Sequence, residues 1–218
     1  MARTEEQFDR FIERTQADLA RLIRKAPPLD MSKAALLVID MQNQFAHPDG
    51  EIYLNESRHL VKRIVRLCNL FREQQRPVIY TRHQHAADNS DLGMMDTWWS
   101  GSHIFAGSWN SEIIEKLTPQ ATDIMISKNR YSAFLGTNLE QMLKEHAVSE
   151  LVITGVMTNL CCETTAREAF MRDYAVYFCL DGTTTISEEM ARGTIQNLAY
   201  GFAYIVTAAQ ILAQFTQD

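Results

Sequence analysis

A chain of 218 residues with 46% hydrophobic and 22% charged residues suits one large α/β domain with a sizeable core better than two small ones. The formal net charge of −6, with no Lys/Arg cluster beyond a solvated helix face, excludes nucleic acid as a partner. The start MARTEEQFDRF is too polar for a signal peptide and no run of about 18 apolar residues offers a membrane span. Cys68, Cys161, Cys162 and Cys179 show neither a disulfide framework nor metal-type CxxC spacing, so a reduced, cytoplasmic protein is expected.

In chain order, Thr4 and Gln7 have capping-box spacing ahead of a helix with Phe8, Ile12, Leu19 and Ile23 on one face. Ala26-Pro27-Pro28 ends it, and residues 1–30 are set apart as an N-terminal helical extension of a main domain spanning 31–218. A buried strand over 34–39 follows, then a helix over 57–75 with Leu60, Ile64, Leu67 and Phe71 at helical spacing, then a strand over 78–81. Residues 82–111 are irregular and carry Trp98, Trp99, Trp109 and three histidines; they are expected either to close as a lid or to pack at the sheet edge or a subunit contact. Strands over 123–127, 150–154, 175–180 and 203–207 then alternate with helices over 137–146, 161–173 and 187–200. Short apolar strands separated by helices predict a six-stranded parallel sheet in a three-layer, Rossmann-like α/β/α fold. Ligands in such folds sit beyond the carboxyl ends of the strands.

Three of those strand ends carry chemically capable side chains. Asp40 ends the first, in LLVIDMQNQF; Lys128 follows the third, in IMISKNRYSAF; and LVITGVMTNLCCETT leads from the fourth to Cys161 and Cys162. A cysteine at a helix start is favoured as thiolate by free backbone N–H groups and the helix dipole, although free cysteines are more often inert core residues. At one edge of one parallel sheet, Asp40, Lys128 and a cysteine supply a base, a cation and a nucleophile.

From about Ala34 to Leu212 the sequence resembles the isochorismatase-like cysteine hydrolases, through VIDMQNQF, SKNRYSAFLGTNLE and TGVMTNLCCETTAREAFMRD. The resemblance implies an Asp–Lys–Cys catalytic set of Asp40, Lys128 and Cys161, because the family nucleophile directly follows a T-N-x triplet, here Thr158-Asn159-Leu160. It also implies a cis peptide at Val156–Met157 and an oxyanion hole formed by the backbone N–H groups of Met157 and Cys161. The implied reaction is hydrolysis of an amide or ureido C–N bond in a small molecule through a thioester on Cys161, with Asp40 as base and no cofactor.

Two other readings remain. The flanks also resemble true isochorismatases, which cleave a vinyl ether and carry Gly in place of Cys161; their carboxylate-binding Arg is missing from the 88–95 loop, with Arg82 the nearest substitute. A non-catalytic binding or thiol-sensing protein is the other. His83, Trp98, Trp99 and Tyr131 are the candidates to line the pocket. The resemblance to nicotinamidases raises a metal site, but His83 replaces the expected Asp in T-R-H-Q-H, and no bound metal is expected. Many members of the family are homodimers or homotetramers; the apolar stripe of the N-terminal helix must be buried against its own domain or a neighbouring subunit, and the helix is expected to contribute to a homo-oligomer interface.

Overall fold

Ala34–Ile39 is a run of six apolar residues with no turn former, and it forms the fully buried strand β1 of the computed structural model, which describes residues 3–215. The other strands are β2 (Val78–His83), β3 (Ile124–Lys128), β4 (Glu150–Val156), β5 (Ala175–Thr184) and β6 (Tyr204–Val206). The helices are α1 (Glu5–Asp18), α2 (Asn43–Ala46), α3 (Ser57–Glu73), α4 (Met94–Trp99), α5 (Leu139–Glu145), α6 (Glu163–Met171), α7 (Glu188–Gly201) and α8 (Ala208–Leu212).

All six strands pair in parallel in the order β3-β2-β1-β4-β5-β6. The chain builds outward from β1 through β2 to β3, then returns to lay β4 on the other side of β1. Right-handed crossovers in opposite directions put α3 and α6 on opposite faces of the sheet, which gives the three layers. The strand order reverses between β1 and β4, and a crevice opens beyond their carboxyl ends.

The closeness of those two strands is written into one residue. Gly155 has φ +110°, and a Cβ there would lie 2.0 Å from the carbonyl oxygen of Ile39. Only glycine fits a left-handed position pressed against a neighbouring backbone. At the edge, β3 alternates: Met125 and Ser127 face out, whereas Ile126 and Lys128 are buried. That two-residue period turns the Lys128 side chain inward.

The capping box of Thr4 and Gln7 is present at α1. The apolar face of α1 is spent within its own chain: Phe8, Phe11, Ile12 and Leu19 are at most 6% exposed and belong to the same core as the sheet, with Ile23 partly buried beside them. Phe8 stacks on His59 of α3 at 5.5 Å between ring centroids, Arg63 of α3 pairs with Asp9, and Arg192 of α7 pairs with Asp18 at 2.6 Å. The stripe is therefore covered by its own domain.

Candidate active site

The sheet register brings the strand ends together. Ile39 lies opposite Gly155 in the β1–β4 pairing, and His83 lies opposite Lys128 in the β2–β3 pairing. Asp40 follows β1 with φ +50°, a left-handed turn that Asp tolerates better than most residues. Its backbone N–H donates to Thr81 Oγ1 at 3.1 Å, and the same hydroxyl donates to Asp40 Oδ1 at 2.5 Å. Gln42 ties the β1 and β2 ends, accepting from His83 N–H at 2.8 Å and donating to the His83 and Ser111 carbonyls.

Lys128 is the hub. Its Nζ lies 2.7 Å from Asp40 Oδ2, and it donates to Cys161 Sγ at 3.3 Å and to the Arg130 carbonyl at 3.1 Å. His83 Nδ1 lies 3.4 Å from the same nitrogen. The side chains of Asp40 and Lys128 are both fully buried.

Burial opposes the charge on Asp40 most strongly, but Lys128, His83 and the Thr81 hydroxyl together outweigh it and hold the carboxyl below its usual range. Burial likewise opposes the charge on Lys128, and Asp40 and Cys161 together outweigh it, so the lysine is held above its ordinary value. His83 is pushed down to about 3, first by burial and then by Lys128, and is neutral. Cys161 goes the other way: burial lifts its thiol to about 12, with the Asp40 anion adding to the rise and Lys128 only partly offsetting it.

Burial thus shifts the Cys161 thiol upward, opposite in direction to the lowering expected from a helix start. Local structure differs there too: Thr158–Cys162 is a π-helical turn, the regular α-helix begins only at Glu163, and Met157 O accepts from Leu160 N and Cys162 N. The Val156–Met157 peptide is cis. Cys162 is fully buried, with its thiol toward the Thr154 carbonyl at 4.0 Å.

Cys161, 8% exposed, reaches a cleft beyond the strand ends. His83, Trp99 and Tyr131 line this cleft, and Trp99 Nε1 donates to Tyr131 Oη at 2.9 Å. Trp98 does not: on the opposite side of the short helix α4, it is 75% exposed. Sequence reasoning missed Gln44, Phe45, Ile52, Met95 and His103, which also line the cleft. For Gln44 a signal existed, since it lies four residues beyond Asp40 in the one-turn helix α2 that leaves the strand end.

Among the described residues, one group has ligand atoms close enough for a metal, namely Asp40, His83 and Cys161, within 4.8 Å of one another. The Lys128 ammonium contacts all three and stands where a cation would sit. His85, stacked edge-on to His83 at 5.1 Å, is paired through Nδ1 with Asp91 Oδ1 at 3.2 Å.

The isochorismatase domain family matches residues 34–210. This chain belongs to the isochorismatase family. Within that family it is 43% identical over 175 residues to nicotinamidase 3 of Arabidopsis thaliana, covering 79% of this chain and 84% of the relative. It is 28% identical to the ureidoacrylate amidohydrolase of Caulobacter vibrioides, covering 87% and 94%. The crystal structure of a cysteine hydrolase from Pseudomonas syringae pv. phaseolicola 1448A superposes with a TM-score of 0.83 at 30% identity, covering 88% of this chain and 95% of that one. The protein is therefore an isochorismatase-family hydrolase on a six-stranded parallel α/β fold. No helix of the described residues is long and apolar enough to cross a membrane.

Proposed function

We propose that this isochorismatase-family hydrolase cleaves the C–N bond of a small, uncharged amide with Cys161 as nucleophile, Asp40 as general base and Lys128 as electrostatic support. One observation carries the reading: a single buried ammonium touches both a carboxylate and a thiol at the floor of a cleft. Substrate binding expels water, and Asp40 takes the thiol proton as Sγ attacks the amide carbon. Lys128 offsets the charge as it moves from carboxylate to thiolate. The N–H groups of Met157 and Cys161 are assigned to the carbonyl oxygen as it becomes an oxyanion. The C–N bond then breaks, Asp40 returns the proton to the departing ammonia or amine, and water hydrolyses the thioester.

Uncharged substrates are favoured because no Lys or Arg is among the side chains lining the cleft. Arg82, the nearest substitute for a carboxylate ligand of the ether-cleaving enzymes, pairs instead with Glu112 at 3.3 Å. Four free, buried thiols suit a reducing cytoplasm. The family's habit of symmetric association is assigned to the α6–α7 side, where Phe170, Met171 and Tyr200 are exposed.

A panel of small amides and ureido acids, scored by ammonia release, tests the reaction. Turnover lost on Cys161→Ala supports the thiol mechanism, and turnover that survives the change removes it. A wild type inactive on the whole panel, with Cys161 oxidised reversibly by dilute peroxide, returns the thiol-sensing reading.

A further inference from the structure

Gln44 is fully buried, lies four residues beyond Asp40, and lines the cleft that Cys161 reaches. Its Nε2 donates to Glu51 Oε2 at 3.2 Å. A carboxylate only accepts, so this bond fixes which end of the amide is nitrogen and turns the carbonyl away from Glu51. That carbonyl, Oε1, is buried and receives no donor from any of the described residues. A buried amide oxygen without a donor is costly to maintain, and such groups are characteristically completed by a ligand where they border a binding cleft. Nothing in the reaction cycle uses it: the thiol, base, cation and oxyanion donors are all assigned to other residues.

We propose that Gln44 is a specificity residue whose Oε1 accepts a hydrogen bond from an N–H donor of the substrate, with Glu51 as the positioning residue that keeps the acceptor facing the cleft. The inference rests on the amide-hydrolase reading and deepens it: the preferred substrate is uncharged and carries an N–H that Gln44 reads. Phe45, Ile52, Met95 and Ile104 give the cleft an apolar share of its lining, and His83, His103, Ser102 and Tyr131 are among its other polar side chains. A site built to pair with a donor rejects the analogue lacking it far more strongly than an apolar slot rejects an extra methyl.

Binding to the full-length Cys161→Ala protein separates recognition from chemistry. Calorimetry would use matched pairs in which one NH2 group is replaced by N(CH3)2: benzamide against N,N-dimethylbenzamide, and aminobenzamides against their dimethylamino counterparts. Adding Gln44→Met, which keeps length and volume, should weaken the N–H-bearing member of at least one pair about 10–100-fold and its methylated partner less than threefold. Glu51→Ala should reduce the same preference by a smaller factor, and in the active enzyme it should raise KM for the N–H-bearing amide while leaving kcat unchanged. Equal weakening of both members in every pair, or no weakening of either, overturns the assignment of Gln44. Failure of the hydrolase reading looks different, because wild-type protein then releases no amine from any amide while Gln44 remains untouched.

Discussion

Asp40, Lys128 and Cys161 sit at the ends of three parallel strands and are at most 8% exposed, whereas the segment that walls the same cleft, from Met94 to Ile104, has little regular structure beneath it. The floor is held by sheet register, by Gly155 against Ile39 and by a buried ion pair. The wall is held by side chains, with Trp99 on Tyr131, His103 Nε2 on Asp96 at 2.9 Å, and Asp91 on His85 and Asn129, and by one short backbone bridge between His85 and Phe105. Helix α4 buries none of its residues. Chemistry is thus assigned to the sheet-held floor, and substrate choice to Gln44 and to the wall that lines the cleft with it.

Changes in the floor should therefore cost orders of magnitude, and changes in the wall should cost factors. Asp40→Asn removes the proton acceptor while keeping size, and kcat should fall about 10⁴-fold with the far-UV spectrum unchanged. An unfolded variant would make Asp40 a structural residue first. Lys128→Met leaves Asp40 buried beside no cation, so stability in denaturant should drop by about 3–5 kcal/mol. A loss under about 1 kcal/mol would mean that the pair is solvated.

His83 gives the floor a pH signature. Burial, then Lys128, lowers its pKa to about 3 from 6.5, while Asp40 opposes the shift and His85 adds to it. Between those values the unfolded chain binds a proton that the folded chain refuses, so stability is complete above about pH 6.5 and is lost as pH falls toward 3. The loss from this group is at most about 5 kcal/mol. His83→Gln should flatten that slope in urea titrations run from pH 7 to pH 4, and an unchanged slope would place the titration elsewhere.

In the wall, Tyr131→Phe removes the acceptor for Trp99, worth about 1 kcal/mol, and should raise KM about fivefold with kcat within a factor of two. Trp98→Ala, at an exposed position, should shift stability by less than about 0.5 kcal/mol and leave KM alone. A kcat effect from either would mean that the wall takes part in the chemistry.

The same division governs what could be read from the sequence. The apolar run 34–39 is recovered as β1 to the residue, because a strand buried on both faces has no polar interruption. Strands β2, β4 and β5 run two to four residues past their expected ends, since Thr81–His83, Gly155–Val156 and Asp181–Thr184 include polar or flexible residues held in the sheet by their neighbours. The three strand-end residues were legible because a parallel sheet forces its carboxyl ends to one edge. Two things were not. The state of Cys161 depends on burial by the whole fold, which outweighs the local helix-start argument. The cleft lining draws on residues 44–52, 83–104, 131 and 156–161, and no local pattern marks side chains that meet only after folding. Trp98 and Trp99 show this: adjacent in sequence, one faces solvent and the other the cleft.

The central claim, that a buried thiol becomes the nucleophile as Asp40 takes its proton, is tested most directly by trapping the covalent intermediate. Wild-type enzyme mixed with excess of an amide it turns over, then quenched in acid within the first turnovers, should gain the mass of the acyl group. Peptide mapping should place that mass on Cys161 and leave Cys68, Cys162 and Cys179 unmodified. An acyl group on any other residue, or Cys161→Ala enzyme that still turns over the same amide, would contradict the account.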